Sequence, residues 1–153
     1  MGFKRRMFAA NPSRALEFLE FNLKSVRTAG FCLEAELAPS KSNGYIQLSY
    51  NGANKFCVLG DMLGWARGVQ AGDGEQISHL CGNPKCIIPA HVVVETVVEN
   101  NRRKNCIVWV DCLHKDCSER LLVCPHNPLC IKYVPGWETW EEFLRWGVHC
   151  KEA

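Results

Sequence analysis

Apolar and polar positions alternate along this chain with two different periods, and the switches between them mark its elements. Leu16, Phe18, Leu19, Phe21, Leu23 and Val26 form a broad apolar stripe, which predicts a helix over about 13–27. Asn11-Pro12-Ser13 opens that helix with capping side chains around a proline suited to a first turn. Thr28-Ala29-Gly30 ends it, and the basic residues 1–10 before it read as loosely held. Phe31, Leu33, Ala35 and Leu37 then alternate with Cys32, Glu34 and Glu36, the period of a half-buried strand. After a loop over 39–44 the alternation resumes, with Ile46, Leu48 and Tyr50 on one face and Tyr45, Gln47 and Ser49 on the other. Asn51-Gly52 is a hairpin signal, so a return strand is expected over about 54–59. Asp61 reads as the cap of a short helix reaching Val69 and carrying Leu63, Trp65 and Ala66.

The second half repeats the alternation in shorter pieces. A strand over about 76–80 leads into a loop holding Gly82, Pro84 and Pro89, and a second strand is expected over 91–95. Thr96 and Glu99 have the spacing of a capping box, which starts a helix over about 96–105. Residues 106–135 follow neither period and are rich in cysteine, so metal rather than an apolar core is expected to order them. Thr139 and Glu142 form a second capping box at the head of a Trp-rich helix ending near Gly147. No internal repeat or low-complexity segment interrupts this order.

Composition narrows the classes. At 153 residues and 47% hydrophobic, one domain with a real core is expected. A net charge of +2 excludes both a disordered charged tail and a histone-like binder, so any nucleic-acid contact must be local. The longest apolar run, near 87–94, is far short of the ~18 residues of a membrane span. The basic start has no apolar stretch behind it, so no secretory signal is visible, and Arg6 excludes a myristoylation site. A reducing intracellular compartment follows as the expectation.

Ten cysteines stand out in such a chain. Histidines are interleaved with them at short spacings, which serves zinc and has no use in a disulfide framework. Cys81, Cys86 and His91 can reach one tetrahedral ion from a single loop. A fourth ligand must come from elsewhere: Cys32, on the polar side of its strand, is the better candidate and Cys57 the runner-up. Cys106, Cys112, His114, Cys117, Cys124, His126 and Cys130 oversupply one site by three. Cys124, His126 and Cys130 form its compact part, with Cys106 or Cys117 as the fourth ligand. Cys112, His114 and Cys117, with His149 or Cys150, leave room for a third zinc.

His79 lies two residues before Cys81 and is either a further ligand or a rigidly held base whose pKa suits proton transfer near neutrality. Asn100 falls early in the helix that follows the second strand, where strand, loop, strand and helix fold back toward His79. Its amide oxygen is a hard ligand suited to Mg²⁺. Arg102, Arg103 and Lys104 beside it offer phosphate contacts or a solvated face.

In this order and spacing, His79, Cys81, Cys86, His91, Asn100 and Cys106 resemble the His-Cys box homing endonucleases, a branch of the ββα-metal (His-Me finger) nucleases. The likeness is dense over 76–106 and extends from Cys32 to Cys130. It implies an α+β fold: one domain over 1–153 with antiparallel sheets, helices, a ββα-metal motif and two structural zinc sites. Within it, 31–60 would hold the DNA-reading sheet, 76–106 the active site, 106–130 the second zinc region and 137–148 the C-terminal helix. The resemblance puts zinc one on Cys32, Cys81, Cys86 and His91, and zinc two on Cys106, Cys124, His126 and Cys130. His79 would activate water, and Asn100 would hold the single catalytic Mg²⁺. Tyr45, Gln47, Ser49, Asn54 and Lys55 would contact bases or phosphates of double-stranded DNA, and Arg102, Arg103 and Lys104 its backbone. Lys55 stands nearest to an arginine the family sets near the scissile phosphate; it keeps the charge and loses the bidentate fork. The family acts as a homodimer, and a nuclear location goes with that reading. The alternative is a catalytically inactive DNA-binding or protein-interaction module, with Trp137, Trp140, Phe143 and Trp146 as the partner surface.

Overall fold

Four antiparallel strand pairs and four α-helices, an α+β arrangement, make up the computed structural model of the chain, which describes residues 5–50, 56–106, 108–112 and 116–147. Helix α1 (Pro12–Asn22) begins where the sequence indicates: the Asn11 side chain accepts the Arg14 backbone N–H at 3.2 Å. It stops four residues before Val26, the last residue of the periodic stripe. The Asn22 amide donates to the Phe18 carbonyl at 2.8 Å. Val26 and Thr28, β-branched and stiff, go instead into strand β1 (Val26–Ala29). That strand pairs with β2 (Cys32–Ala35) from Val26↔Ala35 to Ala29↔Cys32, and the Arg27–Glu34 ion pair at 2.7 Å crosses it.

Strand β3 (Gln47–Ser49) pairs with β4 (Phe56–Val58). Ile46, Leu48 and Tyr50 are buried, while Tyr45, Gln47 and Ser49 are exposed, as the alternation requires. The Asn51-Gly52 turn, Asn54 and Lys55 lie outside the described residues. Helix α2 (Leu59–Ala66) follows β4 directly, earlier than the sequence suggests. The Leu59 N–H bonds the Ile46 carbonyl at 2.9 Å, so the hairpin itself starts the helix, and Asp61 lies in the first turn rather than at the cap. The helix also ends before Val69. Gly68, at φ +77°, takes the left-handed conformation that lets Gly68 and Val69 donate back to Trp65 and Gly64.

These elements enclose the first core of Leu19, Ile46, Leu59, Met62, Leu63 and Trp65. Phe8 belongs to it, stacked 6.4 Å from Trp65 and edge-on to Tyr50 at 5.8 Å. Residues 7–9, in the π-helical turn Arg5–Ala9, are therefore packed and not loosely held. Apolar contact with α1 and α2 outweighs the basic composition of the segment.

Strand β5 (Glu75–His79) pairs with β6 (Val92–Thr96) in a register running from Glu75↔Thr96 to His79↔Val92. Helix α3 (Val97–Arg103) continues from β6, and the Thr96 hydroxyl accepts the Glu99 N–H at 3.1 Å. Residues 106–135 are not irregular throughout: β7 (Val108–Asp111) and β8 (Arg120–Val123) pair within them. Their Val-Trp-Val and Leu-Leu-Val runs have strong strand propensity, and Trp109 and Leu122 pack on a second core. That core is Phe31, Leu80, Ile131, Trp140 and Phe143. The last two lie on helix α4 (Trp140–Trp146), capped by Thr139. Trp140 and Phe143 are buried, so this face is core and is not offered to a partner. Among the described residues no helix is long and apolar enough to cross a membrane.

Candidate metal centres and catalytic cleft

Backbone pairing explains how the first cluster forms. The Ala35 N–H bonds the Lys85 carbonyl at 2.9 Å and the Ile87 N–H bonds the Leu33 carbonyl at 2.8 Å, so β2 docks on the loop after β5. Cys32 is thereby set beside Cys86 and His91, with Cys81 at the loop's start. Cys57 stays in the first core, on β4. Zinc bonds of about 2.3 Å to sulfur and about 2.0 Å to nitrogen put tetrahedral ligand pairs roughly 3.5–3.8 Å apart. Cys86 Sγ lies 3.4 Å and Cys32 Sγ 3.8 Å from His91 Nδ1. The donor set and its spacing fit a structural zinc closed to solvent.

The second cluster is Cys106, Cys124, His126 and Cys130, gathered from the end of α3 and the chain after β8. Cys106 and Cys124 sulfurs are 3.5 Å apart, and His126 Nδ1 is 3.7 Å from Cys124 and 3.6 Å from Cys130. Cys106 Sγ and His126 Nδ1, at 2.8 Å, make the thiol–imidazole contact that an ion would replace. Cys106 therefore completes this set and Cys117 does not. His114, His149 and Cys150 lie outside the described residues, and the described Cys112 and Cys117 join no third metal-sized group there.

Both clusters hold one low-pKa sulfur among higher ones. Hydrogen bonds from Cys32 and Cys81 hold Cys86 well down, while contacts with Cys32 and Cys86 push Cys81 well up. Burial and the neighbouring Cys124 raise Cys106 to about 12. Against the upward effect of burial, the backbone N–H groups of Cys130 and His126 hold Cys124 at about 6. A thiolate is thus prepared in each set, and the remaining thiols must lose protons as a cation binds, so affinity rises with pH.

Between the β3–β4 pair, α2 and the β5–β6–α3 unit lies a cleft of about 650 Å³. His79, Asn100, Asp61, Ser78, Tyr45 and Lys104 are among its lining residues. His79 takes no place in the first cluster. Its Nε2–H donates to the Cys86 carbonyl at 3.0 Å, which fixes the tautomer and leaves Nδ1 as the acceptor. Burial lowers its pKa, partly opposed by that carbonyl, so the ring is neutral near pH 7. Asn100 is half-buried in the cleft, whereas Asn101 is exposed and accepts from Lys104 Nζ at 2.8 Å.

The basic run on α3 divides. Arg102 and Lys104 are exposed, but Arg103 turns inward to a 2.7 Å ion pair with buried Glu95. Gln47 and Ser49 lie on the exposed face of β3, outside the cleft lining. Sequence reasoning missed Asp61 as a cleft residue and the Ser78–Glu95–Arg103 contacts. The helix-cap signal of Asp61 says nothing about which wall α2 forms.

Residues 29–142 match the family described as the zinc-binding loop region of homing endonuclease, a span that takes in both clusters and the cleft's His79 and Asn100. No curated protein and no solved structure matches the chain.

Proposed function

Because the chain belongs to the family defined by the zinc-binding loop region of homing endonucleases, we propose that it is a Mg²⁺-dependent endonuclease that cuts double-stranded DNA at a specific site. The observation that carries this reading is the meeting of His79 and Asn100, 21 residues apart, on one cleft with the His79 tautomer already fixed. His79 Nδ1 takes the proton from the attacking water. Asn100 would hold Mg²⁺ by its amide oxygen, and the ion would supply charge stabilisation for the phosphate and the departing 3′ oxygen. The departing 3′ oxygen takes a proton from solvent, so the products are a 5′-phosphate and a 3′-hydroxyl. The zinc sites, with four protein ligands each, would pin the segments that follow β5 and α3, the elements that carry these groups, and would leave no open position for chemistry.

Arg102, Lys104 and Lys55 hold phosphates, and Arg103 is released from that role by its burial. Gln47 and Ser49 on the exposed side of β3, with the exposed Tyr45 before it and Asn54, read base edges in the major groove. The protein acts as a homodimer in the nucleus, one cleft per strand. Plasmid cleavage tests the reading. Purified wild type nicks or linearises plasmid with Mg²⁺, and His79→Ala lowers the rate at least about 10²-fold while keeping zinc content and DNA affinity. A wild type that binds DNA without cutting it would leave the DNA-binding module as the correct reading. Loss of zinc from His79→Ala would make His79 a ligand and end its role as base.

A further inference from the structure

Arg103, the last residue of α3, has a side chain only 5% exposed. Its Nε meets Glu95 Oε2 at 2.7 Å. Its Nη1 donates to the Pro128 carbonyl at 2.7 Å and to Cys130 Sγ at 3.4 Å. The other oxygen of Glu95 accepts from the Ser78 hydroxyl, and Ser78 adjoins His79 on β5. A second link runs alongside: His126 Nε2 lies 3.4 Å from Glu99 Oε1, and Glu99 adjoins Asn100 on α3. Two ligands of the second cluster thus connect to the proposed site: His126 through Glu99 beside Asn100, and Cys130 through Arg103, Glu95 and Ser78 beside His79.

We propose that Arg103 is a positioning residue that couples the second metal site to the catalytic cleft, so that filling that site sets Asn100 against His79. The proposal rests on the nuclease reading for its catalytic consequence. A buried guanidinium and a buried carboxylate are stable only with their partners in place. Three thiolates, one neutral imidazole and Zn²⁺ sum to a charge of −1, which a guanidinium on Cys130 offsets, and a charged acceptor strengthens that hydrogen bond. Binding of zinc therefore tightens the Cys130–Arg103 contact, and through Glu95 and Ser78 the end of α3 is held on the β5–β6 pair. Lysine has the charge but not the planar fork that reaches Glu95, Pro128 and Cys130 together.

The test compares wild type, Arg103→Lys and the double variant Arg103→Leu/Glu95→Leu, which removes both buried charges and keeps apolar volume. Zinc release to a chelator, hydrogen exchange of the 97–103 amides, DNA affinity without Mg²⁺, and cleavage against Mg²⁺ concentration are measured. Both variants should fold, release the second zinc about 10–100-fold faster and lose α3 protection. DNA affinity and the KM for DNA should stay at wild-type values, while kcat falls and the Mg²⁺ concentration for half-maximal cleavage rises by at least about tenfold. Wild-type zinc release and α3 protection in both variants would overturn the coupling even if cleavage falls. A wild type that does not cut, with zinc release and α3 protection still responding to Arg103→Lys, would overturn the nuclease reading and leave the coupling standing.

Discussion

Gly64 on α2 faces Ile77 on β5, two residues from His79, and this contact sets how closely α2 approaches the cleft. A Cβ added at Gly64 would lie 2.3 Å from Ile77 Cδ1, 3.2 Å from Cγ1 and 3.4 Å from Cγ2. Gly64→Ala therefore gains about 1 kcal/mol of helix propensity and meets an overpacking cost of about 1–3 kcal/mol. The net expectation is a loss of about 0–2 kcal/mol, or up to roughly 8 °C in Tm for a chain of this size. Ile77→Val deletes the clashing Cδ1 and alone costs about 0.5–1.5 kcal/mol through the cavity left. The double variant conserves volume and should recover most of both losses, a favourable coupling of about 0.5–3 kcal/mol between touching residues. Thermal melts of the four proteins at equal zinc give the cycle. Cleavage should follow the same order more steeply, because a displacement of β5 near 1 Å misplaces His79 and costs up to about 10²-fold in rate. Strict additivity, or a Gly64→Ala protein stabilised by the full propensity gain, would refute the packing of α2 on β5.

Chelation should remove the two zincs in separate phases. Cys32, Cys86 and His91 are 7%, 0% and 3% exposed, whereas Cys106, Cys124 and His126 are half-buried, so the second site should empty first, and a single-phase release would contradict this. Cys86→Ser should abolish a cooperative melt, because structural zinc contributes about 10–16 kcal/mol against a total stability of about 5–15 kcal/mol; an unchanged melting curve would remove zinc from the folding energetics. Asn100→Ala should stop cleavage while sparing Mg²⁺-free DNA affinity, and Asn101→Ala should cut normally; the reverse result would shift the metal ligand by one residue.

Local chemistry made much of this molecule legible before folding. The alternation at Tyr45–Tyr50 gave the correct buried face, and Thr96 and Thr139 cap their helices as their spacing requires. Cys81, Cys86 and His91 lie within one loop, so their spacing nearly fixes the site. Cys124, His126 and Cys130 behave likewise. Such signals survive in sequence because each depends on a few neighbouring residues. The stripe that ran to Val26 did not survive, because Val26–Ala29 gained more by pairing with β2 than by extending a helix. The strands β7 and β8 stayed hidden because each is only four residues long and stands among the cysteines.

Long-range placement was decided by the tertiary structure alone. Cys32, favoured over Cys57 from the sequence, reaches the first site because β2 hydrogen-bonds to the Lys85–Ile87 loop, a pairing that only the fold shows. Arg102, Arg103 and Lys104 read alike as a basic run, yet helical geometry turns only the middle one inward, where Glu95, Pro128 and Cys130 await it. The Trp-rich helix could cover a core or a partner until Phe31, Leu80 and Ile131 were found beneath it. Residue type and short spacing thus determined which ligands and caps this chain offers. Which of them meet depends on contacts across tens of residues, where the entropy of loop closure and the burial of apolar surface are settled only by the whole fold.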